Sequence, residues 1–109
     1  MAESGHFQVV TTTDSEEAAA ALARGIVEAK VGACVQVFPI RSFYRWEGAA
    51  QDDPEWRLEV KTSAVRLPAL IEHITTRHPY DVPEVIVTSI VDGTRAYLDW
   101  VDEETRDQP

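Results

Sequence analysis

Residues 33–62 read ACVQVFPIRSFYRWEGAAQDDPEWRLEVKT, two β-rich arms around a polar middle. The first arm, Ala33–Trp46, is β-branched and aromatic with partial alternation. It is long enough for one strand, bent or bulged at Pro39, which has no N–H for a ladder bond. The polar tip from Glu47-Gly48 to Asp53-Pro54 turns the chain. On the return, Trp56–Thr62, Leu58 and Val60 fall on one face and Arg57, Glu59 and Lys61 on the other, so the segment is a β-hairpin with one buried side.

Before the hairpin, Phe7–Thr13 is rich in β-branched residues and predicts a strand. Asp14 and Glu17 have capping-box spacing, which starts a helix near Ser15. Ala19, Leu22, Ala23, Ile26 and Val27 form its apolar stripe, Lys30 suits its negative end, and Gly32 is placed to stop it. After the hairpin, Leu67, Leu70, Ile71 and Ile74 predict a second helix over 66–77, with Pro68 in its first turn and Pro79 beyond its end. Pro83–Val91 reads as a fourth strand, Asp92-Gly93 as a turn, and Tyr97, Leu98, Trp100 and Val101 as part of a third helix. The order βαββαβ plus a terminal helix is the α+β, ferredoxin-like arrangement, with two helices on one face of an antiparallel sheet. One domain then takes in residues 1–109, with a core of about 7–105 and an acidic stretch from Asp102 to Pro109 that frays at its end. Val35, Val37, Phe43, Trp46, Trp56 and Leu58 cannot all face two helices. The apolar area left over on the uncovered face marks an interface and predicts a homo-oligomer.

Composition narrows the partners. The chain has 109 residues, 19 acidic against 10 basic, and a formal charge of -9, which disfavours nucleic-acid phosphates and anionic lipid surfaces. Met1–His6 has neither a basic nor an apolar leader region, and no apolar run approaches the length of a membrane span. One cysteine, Cys34, excludes an intramolecular disulfide framework and fits a reducing, cytoplasmic setting. No Gly-rich phosphate cradle, His-x-x-x-His motif or nucleophile with an evident base occurs, so the sequence predicts no enzyme.

Five strings become specific when taken together: Glu28-Ala-Lys-Val-Gly-Ala-Cys-Val35, Ser42-Phe-Tyr-Arg-Trp-Glu-Gly48, Val60-Lys-Thr62, His78-Pro-Tyr-Asp-Val-Pro-Glu84 and Tyr97-Leu-Asp-Trp100. In that order and spacing the chain resembles the CutA divalent-cation tolerance family over about residues 7–105. The resemblance implies a fold similar to that of the PII signalling proteins, a homotrimer with interlocked hairpins, and a link to copper and other divalent metals without enzymatic activity. Val35–Ser42 is one residue shorter than in usual members. Members best equipped for copper carry a second imidazole before Pro-Tyr and a thiol at the end of the first strand. Here Arg77 and Thr11 hold those places.

His78 and Glu84 are the leading metal-ligand candidates, since imidazole and carboxylate suit Cu2+ or Zn2+ and the Pro79–Pro83 turn is rigid. Asp81 or Cys34 of a neighbouring copy would complete the set. Against this, His78 is placed to cap the second helix, and Cys34 to pack as a small hydrophobe. Tyr44, Trp46 and Trp56 read as seam aromatics or as the wall of a cleft, together with Tyr80, Tyr97 and Trp100. Lys61 would line an anionic-metabolite cleft of the PII type, or else pair with Glu59 or Glu84.

Overall fold

A computed structural model describes residues 4–106. The readings placed on Met1–Glu3 and on the last three residues of the tail lie outside them. The elements are β1 (His6–Thr13), α1 (Glu16–Glu28), β2 (Cys34–Trp46), β3 (Ala49–Ser63), α2 (Leu67–Arg77), β4 (Ile86–Ile90) and α3 (Arg95–Glu104). The sheet order is β2-β3-β1-β4 with every neighbouring pair antiparallel, which is the expected ferredoxin-like topology.

Register decides the faces, because paired residues share a side and neighbours along a strand alternate. Val9 pairs with Val60 and Val87, and Val60 with Val35. This row packs under α1 and α2 with Leu58, Leu22, Ile26, Leu70 and Ile74. Val27 stays 45% exposed, so the buried stripe of α1 is narrower than its periodicity suggests.

Several local readings shift. The N-cap of α1 is Ser15, whose hydroxyl accepts the Ala18 amide at 3.1 Å, and not Asp14. The helix ends in a Schellman motif: the Lys30 amide donates to Val27 O and the Val31 amide to Ile26 O. Lys30 (φ 61), not Gly32, takes the left-handed position. Gly32 instead allows close approach, since a Cβ there would lie 2.6 Å from Val60 and 2.7 Å from Ile26.

The hairpin is longer and tighter than the sequence suggests. Its turn is Glu47-Gly48 alone, with φ 51 and 81, the left-handed pair of a two-residue hairpin. Pairing then runs without a bulge from Trp46↔Ala49 to Cys34↔Lys61. The closing pair of such a hairpin is hydrogen-bonded, so Pro39 and Pro54 both occupy non-bonded pairs and interrupt nothing. β4 is shorter than expected and begins at Ile86.

The second face is covered at one end, contrary to expectation. α3 docks there through Asp102 Oδ1, 2.9 Å from His6 Nε2, and through the buried Thr105 hydroxyl, which bonds Ser63 Oγ at 3.1 Å. The first residues of the acidic stretch from Asp102 are helical to Glu104, and its far end lies outside the described residues. The middle of this face remains open, with Phe38 and Ile86 exposed.

Candidate functional site

At the end of the second face away from α3, the hairpin and the 80–84 loop enclose a cleft of about 570 Å³. Thr12 and Ser42 line it between Phe43, Tyr44 and Trp46 of the hairpin and Tyr80 and Val82 of the loop. Glu55, Asp81 and Glu84 contribute carboxylates, and no Lys, Arg or His lies among the lining residues.

The rings are held in place. The Tyr80 hydroxyl donates to Glu55 Oε2 at 2.7 Å; burial first, then the bond to Glu55 and its charge, push that phenol up. The Tyr44 hydroxyl donates to Asp53 Oδ2 at 2.7 Å, which raises its pKa in turn. On the hairpin, Arg41 forms a two-point pair with Asp52, both contacts 2.8 Å, and its guanidinium lies 5.0 Å above the Phe43 ring. That pairing raises the Arg41 pKa and lowers that of Asp52.

His78 braces the cleft from behind. Its Nδ1 accepts the Tyr80 amide at 3.1 Å, so Nε2 carries the proton and donates to Thr12 O at 2.8 Å, with Thr11 Oγ1 at 3.1 Å. Both ring nitrogens are thus committed to the protein. The residue occupies the C-cap position of α2, but its ring reaches the end of β1 rather than the helix carbonyls.

Burial lowers the His78 pKa below 6.5, ahead of opposing contributions from Thr12 O, Asp14 and Glu55. His73, buried between α1 and α2 beside Gly25, is also lowered, by burial and then by Arg77. The sign follows: near 6.5 the unfolded chain takes up protons that the folded chain refuses, so stability is intact above that pH and falls as the pH drops through it. Thermal melts between pH 7 and pH 5 should fall accordingly, with a shallower slope in His73→Gln. Equal slopes in the two proteins would remove His73 from this account.

The remaining candidates lie elsewhere. Cys34 pairs with Lys61, six positions along β3 from Glu55, or about 20 Å away at 3.3 Å per residue. It is half-buried rather than a core residue, beside Tyr97, whose phenol burial and the thiol together raise. Lys61 donates to Gln36 Oε1 at 2.7 Å, while Glu59 pairs with Arg57, so neither expected carboxylate is its partner. Trp56 packs against the core rather than lining the cleft. Tyr97 and Trp100 stack at 5.5 Å on α3, both 41% exposed.

Among the described residues of one chain, no three His, Cys, Asp or Glu side chains are grouped to hold a metal ion. With His78 saturated and Cys34 remote, the donors of a single chain do not fit a resident copper or zinc ion. Thr12, Ser42, Phe43, Glu55 and Val82 are cleft residues that the sequence alone does not single out as such. Glu55 was legible only as part of an acidic run, although its alternation with Asp53 on a strand starting at Ala49 puts both on one face.

Known proteins share this architecture. The divalent-cation tolerance protein CutA of Thermus thermophilus is 43% identical over 98 residues, covering 89% of this chain and 95% of that one. The chloroplastic protein CutA of Arabidopsis thaliana is 44% identical over 99 residues, 90% of this chain but 54% of its own length. The structure of CutA from Synechococcus elongatus superposes with a TM-score of 0.92 at 35% identity, covering 95% of this chain and 94% of that one. Among the described residues no helix is long and apolar enough to cross a membrane. The family model for the CutA1 divalent ion tolerance protein matches residues 7–104, and the chain belongs to that family.

Proposed function

We propose that the chain works as a homotrimer in divalent-cation tolerance, gathering cations loosely at its carboxylate cleft rather than caging one resident metal. The observation that carries this reading is the cleft itself: Glu55, Asp81 and Glu84 line it with no basic side chain. Hard divalent ions accept carboxylate oxygens and retained water. Three copies would carry a formal charge of about -27, which concentrates cations near the surface. Copper or zinc selectivity would need imidazole or thiolate donors from a second copy. The alternative of an anionic metabolite, as in PII-like sensing, gains no support from this lining. We assign no catalytic step. A reducing, cytoplasmic setting belongs to the same reading and rests on the lone thiol of Cys34.

Assembly is supported by the open middle of the second face and by β2 and β4, which leave both sheet edges unpaired among the described residues. Phe38 is 38% and Ile86 52% exposed there. Placing a charge in that seam by Phe38→Asp or Ile86→Asp should convert trimers to monomers in native mass spectrometry. Trimers that persist in both variants would move the seam elsewhere.

The same instrument tests the cations. Metal-stripped protein titrated with Mg2+, Zn2+ and Cu2+ should take up each, with uptake reduced in a Glu55→Gln, Asp81→Asn, Glu84→Gln variant. A protein that stays bare, or an unchanged triple variant, would refute the cleft as the place of binding.

A further inference from the structure

We propose that the cleft binds a small organic cation, a quaternary ammonium or guanidinium ion, in competition with divalent metals. This rests on the reading of the cleft as the functional site and names a second ligand class for it. The volume, about 570 Å³, falls within the roughly 300–1,000 Å³ typical of small-molecule sites. Its lining has two parts, aromatic rings from both the hairpin and the loop, and carboxylates without a basic partner. No basic side chain lines the cleft for an anion, and the Arg41 guanidinium beside Phe43 is already paired with Asp52. A hydrated metal ion uses the carboxylates and gains nothing from the rings. A guanidinium or quaternary ammonium ion uses both, because its charge is weakly hydrated and its apolar body packs on ring faces.

The hairpin supplies a precedent for that chemistry at one of the cleft's own rings. The Arg41 guanidinium sits over the Phe43 ring at 5.0 Å while Asp52 holds it at 2.8 Å, a layered set of ring, cation and carboxylate. The bonds from Tyr80 to Glu55 and from the Tyr80 amide to His78 fix one wall before any ligand arrives, which lowers the ordering cost of binding.

The test is isothermal titration of the full, assembled protein in sodium phosphate with agmatine and tetramethylammonium, with glutarate as the anion and Mg2+ as the metal. Agmatine or tetramethylammonium should bind once per chain and be displaced by Mg2+, and glutarate should not bind. Trp46→Leu should weaken the organic cation about tenfold, the loss of one good ring contact. Glu84→Gln, an exposed change that spares the fold, should weaken it about threefold. No binding of either organic cation would overturn the proposal, as would tighter binding of glutarate or affinities unchanged in both variants. Mg2+ uptake without organic-cation uptake defeats this proposal and leaves the divalent reading standing; organic-cation uptake without Mg2+ defeats the divalent reading and the competition, and leaves the organic-cation site. An assembled protein that binds neither defeats both, the cleft then being closed between copies.

Discussion

Gly32→Ala is expected to lower stability by about 3 kcal/mol, at the upper end of the cost of overpacking a core. The backbone is not the reason, since Gly32 is absent from the residues with positive φ. The added Cβ would lie 2.6 Å from Val60 Cγ1 and 2.7 Å from Ile26 Cγ2, closer than carbon atoms approach without repulsion. Neither neighbour can yield cheaply, because Val60 and Ile26 are both 0% exposed and belong to the one core cluster. The Val31 amide bond to Ile26 O ties the segment to α1, and the Ala33 amide bond to Lys61 O, 2.9 Å, ties it to β3. A fall in melting temperature of roughly 10–20 °C follows for a chain of this size. Val60→Ala should cost less in the Gly32→Ala background than alone, because it removes one of the colliding methyls. A melting point within a few degrees of the parent, or strict additivity of the two changes, would show that the strand and helix are not held at this separation.

The same glycine shows where sequence reasoning stops. A glycine after an amphipathic stripe is a reasonable helix stop, and α1 does end nearby. Yet Lys30 takes the left-handed position, and what requires a glycine at 32 is its close approach to Val60, a partner on another element that no local pattern announces. Local signals served well elsewhere: the alternation of Leu58 and Val60, the Leu70 and Ile74 spacing, and the order of all seven elements. Pro54 misled for a related reason. It reads as a break, but β1 ends at the pair Thr13↔Trp56, so Pro54 has no neighbour on that side to ask for its missing N–H. The cover on the second face was hidden too, since the His6 and Asp102 contact spans 96 positions.

The candidate site was legible in its residues more than in its roles. Tyr44, Trp46, Tyr80, Asp81 and Glu84 were singled out, and all line one cleft. Residue type alone attaches Cys34 to a metal set and Lys61 to an anionic cleft, and the register carries both to the end of the hairpin strands opposite this cleft. Distance along a strand is a property of the fold, and composition does not contain it.

His78→Ala should cost about 2–4 kcal/mol and weaken whatever the cleft binds, although the ring does not line the cleft. The imidazole joins three groups: Thr12 O, Thr11 Oγ1 and the Tyr80 amide. Thr11 is 0% and Thr12 4% exposed, so removing the ring strands polar atoms away from water at about 1–3 kcal/mol each, partly offset where water enters the gap. The loop then loses its tether to β1, and Tyr80 loses the amide bond that aims its hydroxyl at Glu55. The outcome separates two roles that a metal titration alone would confuse. If His78 is a brace, His78→Ala lowers the melting temperature of metal-free protein and weakens Mg2+, Cu2+ and agmatine alike. If it is a metal ligand, the variant loses Cu2+ or Zn2+ selectively and keeps its metal-free stability. His78→Gln, whose amide can donate toward Thr12 O while its other end accepts from Tyr80, should recover part of the stability. Selective loss of Cu2+ with an unchanged melt would overturn the bracing role and return the imidazole to the metal.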